Sequence, residues 1–339
     1  MNASLSNAPA MLPAVTLIIE WENAIDVEDE WTGKAMSALA RELASVEGRI
    51  AARPRVLYLY DKGAVAADAI DRTIDDIAPQ LREVADIEVE ATEGLTYYRL
   101  KNYGVSKATT DLCVMIDSDA APQPGWLAAL LAPFADPEVK VVGGVTVLGY
   151  EDFLSRTMAL SWIFDLIDET EKSAKRRTIH VNNCAVRTDF FRANPFPELT
   201  GAFKKQCVFW IKGVLADGHG YVRTADATAI HAPHPGYKFL AWRAWTSGMD
   251  GDFQAYHLDS KSKLRRFEIA LRHYASKVVR AWRNIVKKGG RVGLPVWQRP
   301  AAMVVAFAYF TTKFIAQAGS IVVRRYEPLP APAILAAAT

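Results

Sequence analysis

Short runs of apolar residues recur through the first half of the chain and alternate with segments of helical spacing. The runs lie at 14–19, 56–60, 87–91, 112–116 and 139–147. Each run is apolar almost throughout, which is typical of strands that are covered on both faces of a sheet. Between the first two runs, Met36, Leu39, Ala40 and Leu43 fall on one side of a helix. The alternation predicts an α/β fold with a doubly wound, mainly parallel sheet flanked by helices.

A different pattern follows Gly236. Basic residues occur at nearly every turn between 237 and 291, interleaved with aromatic and apolar residues at broadly helical spacing. The next run, 300–323, is long enough to span a bilayer, for which about 20 residues are needed, but Lys313 lies close to its centre. Because a charge there opposes insertion, we expect a C-terminal helical appendage that attaches to an anionic membrane surface peripherally or monotopically.

Three other interpretations of this appendage remain open. The run 300–323 could be a single membrane span. The appendage could instead be a soluble helical hairpin that packs on the rest of the chain or on a second subunit. Nucleic-acid binding is the poorer alternative, since 40 Lys and Arg against 38 Asp and Glu give a net charge of only +2, and no nucleic-acid motif accompanies the cations. We therefore expect no nucleic-acid partner.

Composition narrows the class of protein further. Of the 339 residues, 50% are hydrophobic and 23% are charged, which favours a globular core over disorder. The three cysteines lack paired spacing, which argues against a disulfide scaffold or a structural zinc site and favours a reducing compartment. The first ten residues lack the basic region of a signal sequence, so we expect the chain to stay in the cytoplasm.

Chemistry is indicated most clearly by Asp117-Ser118-Asp119, which ends the apolar run 112–116. Two carboxylates at the carboxyl end of a strand can hold Mg²⁺ or Mn²⁺ directly or through water, with substrate phosphates completing the coordination. Ligands of doubly wound sheets bind outside these strand ends. The same pattern alone is also typical of a solvated turn.

Around this motif the chain resembles the family 2 glycosyltransferases, which have the GT-A fold. The segments that carry the resemblance are VTLIIEWENA, VLYLYDKG, RLKNYGVSKATTDLCVMIDSD, MIDSDAAPQPGWLAALLAPF and HVNNCAVRTDFF. Their order and approximate spacing agree with the family over about residues 13–236. The resemblance therefore implies a GT-A catalytic domain over 13–236, an appendage over 237–325, a disordered N-terminus over 1–12 and a flexible tail over 326–339.

The resemblance also implies roles for individual residues. Asn23 and Asp61 would bind the base and ribose of a nucleotide, and Arg99 or Lys101 would face its diphosphate. Asn102 would also bind the nucleotide, and together with Arg99 and Gly104 it matches the Arg-Asn-x-Gly segment of the family. Asp119 would be the direct metal ligand, and Asp117 would contact the ribose or bind the metal through water. A histidine commonly completes the metal site, and His231 matches this position better than His234 does.

Two departures from the family concern the reaction itself. Glu20, Trp21 and Glu22 stand where the first strand is usually followed by proline, which places two extra carboxylates near a diphosphate. Inverting members carry a catalytic aspartate at the start of the helix predicted over 204–218, where this chain has Gln206 or Cys207. Neither residue type is a plausible general base for an alcohol.

Three carboxylates could supply the base instead, namely Glu198, Asp189 and Glu22. Two further explanations remain open: the acceptor needs little base assistance, or the protein binds the donor without turnover. The resemblance thus implies a metal-assisted glycosyltransferase that moves a sugar from a UDP- or GDP-linked donor to a glycan or lipid-linked acceptor at the cytoplasmic face of the cell membrane. A non-catalytic nucleotide-sugar-binding scaffold and a metal-dependent nucleotidyltransferase are the alternatives.

Overall fold

The computed structural model describes residues 11–25, 27, 29–233, 236–327 and 329. The eight strands are β1 Val15–Glu20, β2 Arg55–Asp61, β3 Asp86–Thr92, β4 Leu112–Asp117, β5 Ala120–Pro122, β6 Val139–Leu148, β7 Asn183–Arg187 and β8 Gly220–His231. They form one sheet in the order β3-β2-β1-β4-β7-β6-β8-β5. The pairs β1–β2, β2–β3, β1–β4 and β6–β8 are parallel, whereas β4–β7, β6–β7 and β5–β8 are antiparallel. The predicted fold class is confirmed, with a sheet that is mixed in its second half.

Helices cover both faces of this sheet, and three long helices follow the last strand at the C-terminal end of the described chain. They are α1 Glu22–Ile25, α2 Asp29–Ser45, α3 Ala69–Ile77, α4 Leu81–Val84, α5 Tyr97–Lys107, α6 Trp126–Leu131, α7 Phe153–Ser161, α8 Thr170–Ala174, α9 Thr188–Ala193, α10 Gln206–Ala216, α11 Gly236–Leu258, α12 Lys263–Lys288 and α13 Arg299–Val323. Strand alternation divides the core between the two faces, since Leu17 and Ile19 pack in one hydrophobic cluster and Ile18 packs in the other.

Helix α5 lies unusually close to the sheet, and Gly104 allows this approach. A Cβ atom at Gly104 would come within 2.5 Å of Ile18 Cγ2 and 3.0 Å of Leu59 Cδ1. The glycine in the Arg-x-x-Asn-x-Gly segment is therefore explained by packing, because any side chain there would push α5 away from β1. This close approach places the start of α5 beside the ends of β1 and β4.

The three C-terminal helices pack against the end of β6 and against α7. A single cluster of buried residues joins Leu148 and Leu154 to Leu240 of α11, Ile285 of α12 and Phe310 of α13. The division of the chain at residue 236 stays a prediction, as do the proposed disordered N-terminus and flexible tail. Residues 1–10 and most of 326–339 lie outside the described residues, but Leu12 is buried and forms an isolated bridge with Ile50.

One helix of the described part of the chain, Val296–Val323, is long and apolar enough to cross a membrane by length and composition. Its α13 portion buries one side, which includes Ala302, Ala306, Phe310 and Gln317, against its neighbours in the protein. The predicted helical appendage is therefore present, and its relation to a membrane is considered below.

Candidate active site at the carboxyl edge of the sheet

Acidic side chains gather where β1 and β4 end side by side. The two strands are parallel and in register, so that Glu20 is the direct neighbour of Asp117. Two residues further on, Asp119 precedes β5, whose pairing with β8 places His231 opposite Ala120. Asp117, Asp119 and His231 are all buried and each offers a ligand atom within 4.8 Å of the others. The motif and the histidine predicted from the sequence thus meet in space.

Asp117 is held by three donors. Lys101 Nζ lies 2.8 Å from Oδ1, the Tyr97 hydroxyl lies 2.9 Å from Oδ1, and Asn23 Nδ2 lies 2.9 Å from Oδ2. Tyr97 and Lys101 reach the carboxylate together because they are four residues apart on α5 and share one side of the helix. Both oxygens of Asp117 are therefore engaged by the protein, and their direction is fixed.

Glu20 and Lys101 complete a buried charge cluster. Asn23 Nδ2 also donates to Glu20 Oε1 at 2.9 Å, and both Glu20 and Lys101 have no exposed side-chain surface. Burial raises the pKa of Glu20 well above its ordinary value, and the neighbouring Asp117 adds to that rise. The pKa of Asp117 is lowered, because the Lys101 ammonium outweighs the effect of burial. The extra carboxylate of the first strand thus faces a lysine inside the protein.

Asp119 is the carboxylate best suited to a metal ion. Its Oδ1 atom is buried and has no hydrogen-bond partner among the described residues, while Oδ2 lies 3.4 Å from His231 Nδ1. Burial raises the pKa of Asp119 to about 6, and the neighbouring Asp117 carboxylate adds to the rise, whereas His231 opposes it. Two carboxylates, an imidazole and an unsatisfied buried oxygen fit a hard divalent cation such as Mg²⁺ or Mn²⁺.

A cavity of about 170 Å³ opens over this cluster. Its lining includes Asn23, Tyr97, Asp119, His180, Lys204 and Arg243. Lys204 Nζ lies 4.7 Å from the centre of the Tyr97 ring, so a cation lines the cavity beside the ring whose hydroxyl binds Asp117. Anionic phosphate groups would find both a metal site and fixed cations here.

His180 enters the cavity as a neutral imidazole. Thr146 N–H donates to its Nδ1 at 3.3 Å, and burial, with Arg223 nearby, lowers the pKa of His180 to about 3. A ring with that pKa remains uncharged at neutral pH. His180 therefore lines the cavity as a hydrogen-bonding group and is a poor general base.

The remaining nucleotide-binding residues predicted from the sequence lie in different places. Asp61 ends β2 at the same sheet edge, and its carboxylate accepts from the backbone N–H groups of Gly63 at 2.7 Å and Gly94 at 2.9 Å. Asn102 exchanges two hydrogen bonds with the backbone of Phe196, so it joins α5 to the segment after α9. The nucleotide-binding roles of Asp61 and Asn102 stay predictions.

Arg99 does not line the cavity. It forms a bidentate pair with Glu198, at 2.9 and 2.6 Å, and both side chains are exposed. Residues 99 and 101 are about 200° apart around a helix, so Lys101 faces the cluster and Arg99 faces solvent. The two basic residues predicted as candidates to face the diphosphate, Arg99 and Lys101, thus lie on opposite sides of α5.

The carboxylates considered as general bases are separated as well. Glu198 is occupied by Arg99, and the Asp189 side chain is 98% exposed on α9. Glu22 begins α1 at the sheet edge, where burial raises its pKa and Lys204 and Lys101 oppose that rise. Cys207 lines the cavity, but burial raises the pKa of its thiol, which leaves it protonated.

Comparisons with known proteins agree with this architecture. Residues 68–196 match the family model "Glycosyl transferase family 2". A pre-mycofactocin glycosyltransferase of Mycobacterium tuberculosis, from strains CDC 1551 / Oshkosh and ATCC 25618 / H37Rv, is 38% identical over 68 residues, which are 20% of this chain and 14% of that protein. The chain therefore spans only a small part of the curated relatives that it matches.

Solved structures cover nearly the whole chain. The mannosyltransferase PcManGT from Pyrobaculum calidifontis, in complex with GDP-Man and Mn²⁺, has a TM-score of 0.54 at 16% identity, with 91% of this chain and 89% of that chain covered. S. aureus TarS 1-349, in complex with UDP-GlcNAc, has a TM-score of 0.46 at 12% identity, with 91% of each chain covered.

The fold is that of the GT-A glycosyltransferases, and it brings two carboxylates and a histidine together at the carboxyl edge of the sheet. Residues 68–196, which are less than half of the chain, resemble glycosyl transferase family 2. The family resemblance stated from the sequence is confirmed.

Proposed function

We propose that this protein transfers a sugar from a nucleotide-diphospho-sugar to an acceptor hydroxyl or phosphate, with Mg²⁺ or Mn²⁺ bound by Asp119 and His231 and oriented by Asp117. The observation that carries the proposal is the buried, partnerless Oδ1 atom of Asp119 beside a second carboxylate and an imidazole. When bound, the metal would stabilise the charge that develops on the leaving diphosphate. Lys204 is placed to attract the same phosphates.

Donor binding tests this proposal. Thermal melting of the full chain would be recorded with UDP-, GDP- and ADP-linked sugars, each with and without Mn²⁺; a GDP donor is included because the archaeal mannosyltransferase of the same fold binds GDP-Man. We expect one nucleotide class to raise Tm in a Mn²⁺-dependent way, since a ligand that binds only the folded state stabilises it by mass action. Stabilisation by a nucleoside triphosphate alone would instead support a nucleotidyltransferase.

Glu22 is our candidate for the general base, because it is partly buried and directly precedes Asn23 of the cavity lining. The other two carboxylates, Glu198 and Asp189, are exposed. Glu22→Gln is expected to lower turnover about 10²-fold or more while donor binding stays unchanged, since a base acts in the transition state. Glu198→Gln is the matched control and should keep turnover within about threefold. Equal losses in both variants would contradict the assignment, and donor binding without any turnover in the wild-type protein would favour the scaffold alternative.

For location, we propose peripheral attachment to an anionic bilayer through one side of α12 and α13. We name this side the apolar face, and it consists of exposed residues: Leu264, Phe267, Leu271, Val279, Trp282, Val286, Val304, Phe307, Ile315 and Val322. Exposed cations, among them Arg283 and Lys287, flank it. An apolar stripe with cations at its border is typical of an interfacial helix, and the cytoplasmic face of the cell membrane is the anionic surface that we propose.

Vesicle sedimentation tests the apolar face. The double variant Leu271→Glu/Val279→Glu is expected to bind vesicles of phosphatidylcholine and phosphatidylserine at least about 10-fold more weakly, because two apolar side chains leave the interface and two negative charges enter it. Met11→Glu, at an exposed position distant in sequence, is the control. Wild-type protein that resists extraction from membranes by alkaline carbonate would contradict peripheral attachment and indicate a membrane-spanning helix.

A further inference from the structure

A second cavity, of about 360 Å³, lies between the start of α10 and the helices α11, α12 and α13. Basic side chains from three elements line it. We name it the cationic chamber and define it by Lys205, which precedes α10, His273 and Lys277 of α12, and Lys313 of α13. Gln254 and Gln317 add polar groups to the same lining.

The lysines of the chamber lack compensating charges. Within the described part of the chain, none of the three forms an ion pair. Asp250 acts on Lys205 and Lys313, but its two oxygens accept from the backbone N–H groups of Phe203 at 2.7 Å and Lys204 at 3.0 Å. Asp259 is the other acidic residue, and it lines the chamber near His273. Cations thus outnumber the available carboxylates.

This accumulation of positive charge opposes folding. Burial, together with Lys205, Lys277 and Arg243, lowers the pKa of Lys313 to about 7. Like charges in a shared cavity repel one another, and each loses hydration when it is buried. A bound anion would reverse both effects, because it would neutralise the ammonium groups and accept charge-assisted hydrogen bonds from them.

The chamber adjoins the first cavity, which opens over the carboxylate–histidine cluster. Ile163 lines both cavities, and the consecutive residues Lys204 and Lys205 line the first and the second respectively. A ligand seated in the chamber could therefore extend toward Asp119. His273 is about 200° around α12 from Leu271, so the chamber and the apolar face lie on different sides of this helix.

We propose that the cationic chamber binds a phosphate or diphosphate group of the acceptor and so directs the acceptor's reacting oxygen toward the donor sugar. Phosphate fits better than a single carboxylate, because its several oxygens and double charge can meet lysines that approach from three elements. The inference rests on the proposed transferase function and specifies its acceptor as a phosphorylated molecule. A lipid phosphate and a sugar phosphate share this chemistry.

Titration calorimetry of the full chain with sodium pyrophosphate, in EDTA and at fixed ionic strength, tests the chamber without metal. Lys277→Gln and Lys313→Gln are each expected to weaken pyrophosphate binding about 10-fold or more. Lys287→Gln, an exposed lysine of the same helix α12, is the matched control and should change the Kd less than twofold. Equal Kd values in all four proteins would overturn the inference.

Stability gives a second readout that does not depend on binding. Lys313→Gln removes a charge that the folded state disfavours below pH 10, so we expect Tm without ligand to rise by about 2 °C or more. If Tm falls instead, the charge of Lys313 does not destabilise the folded state, and the inference fails. Lys277, nearer the chamber's exposed edge, provides the binding test with the smaller risk of misfolding.

Two further arms identify the source of the phosphate and separate this inference from the proposed function. Geranyl phosphate and glucose 1-phosphate would be compared with inorganic phosphate; tighter binding of the first supports a lipid acceptor, tighter binding of the second supports a glycan, and no preference for either overturns the assignment to an acceptor. Donor binding with Mn²⁺ should be unchanged in Lys277→Gln. Intact donor binding without pyrophosphate binding would refute the chamber alone, whereas absent donor binding would refute the transferase proposal.

Discussion

Replacing Asp119 by asparagine is expected to lower sugar transfer by about 10³-fold or more and to remove the Mn²⁺ dependence of donor binding. The substitution keeps the shape of the side chain but removes the charge of a carboxylate whose Oδ1 atom has no hydrogen-bond partner among the described residues. Charge stabilisation by a bound metal contributes several kcal/mol to a transition state, and about 1.4 kcal/mol corresponds to a tenfold change in rate. Initial rates at several Mn²⁺ concentrations measure the effect.

Two controls separate this result from misfolding. Asp76→Asn changes an exposed carboxylate on α3 and should leave both rate and Mn²⁺ dependence unchanged. The metal-free Asp119→Asn protein should melt no lower than the wild type, because a charge that is buried away from water has been removed. Activity within tenfold of the wild type, with the same response to Mn²⁺, would show that Asp119 does not hold the metal.

Lys101→Met is expected to reduce the free energy of unfolding by about 3–5 kcal/mol, which is the usual cost of removing one partner from a buried ion pair. The variant would leave the Asp117 carboxylate without its ammonium partner and would place Glu20 beside an uncompensated charge. Urea unfolding at pH 7, followed by fluorescence and circular dichroism, measures the difference.

The control for this variant lies on the same helix. Lys107 pairs with Glu90 at 3.0 Å, but its side chain is 44% exposed, so Lys107→Met should cost about 1 kcal/mol or less. If the two lysine variants lose similar stability, the buried cluster does not hold the sheet edge together. A second substitution, Glu20→Gln in the Lys101→Met background, should recover part of the loss by removing one of the two carboxylates.

The strands of the first half could be predicted because their burial on both faces leaves a continuous apolar run. Strand β8 carries mostly half-buried and polar residues over 220–226, so it shows no such run, and β5 has only three residues. Helix α7 ends already at Ser161, although the sequence after it remains rich in apolar residues. After α7, Ile163 and Phe164 line the cavity over the carboxylate–histidine cluster. The spacing of apolar residues in the sequence does not show that these two side chains face the cavity.

The carboxylate–histidine cluster could be predicted in part from the sequence, because Asp117 and Asp119 follow a recognisable strand. The surroundings of the cluster could not be predicted. That Lys101 points inward and Arg99 does not depends on how α5 lies on the sheet. Arg243 reaches the cavity from α11, more than 100 residues after Asp119, and His180 enters from a turn before β7. Such distant contributions require the tertiary fold, although an ionisable residue inside an apolar helix, as with Lys313, gives a usable hint.

The hydrophobic cluster shared by β6, α7 and the last three helices limits how the polypeptide can be shortened. Cutting after Gly236 would strip the cover from Leu148, Leu154 and Met158 and would remove the Asp250 carboxylate that anchors the backbone at Phe203 and Lys204. A recombinant fragment that ends there would expose apolar surface and would lose the hydrogen bonds that anchor this loop. We therefore expect it to aggregate and to be cleaved by proteases. Solubility is better improved by substitutions on the outward side of α12 than by deletion.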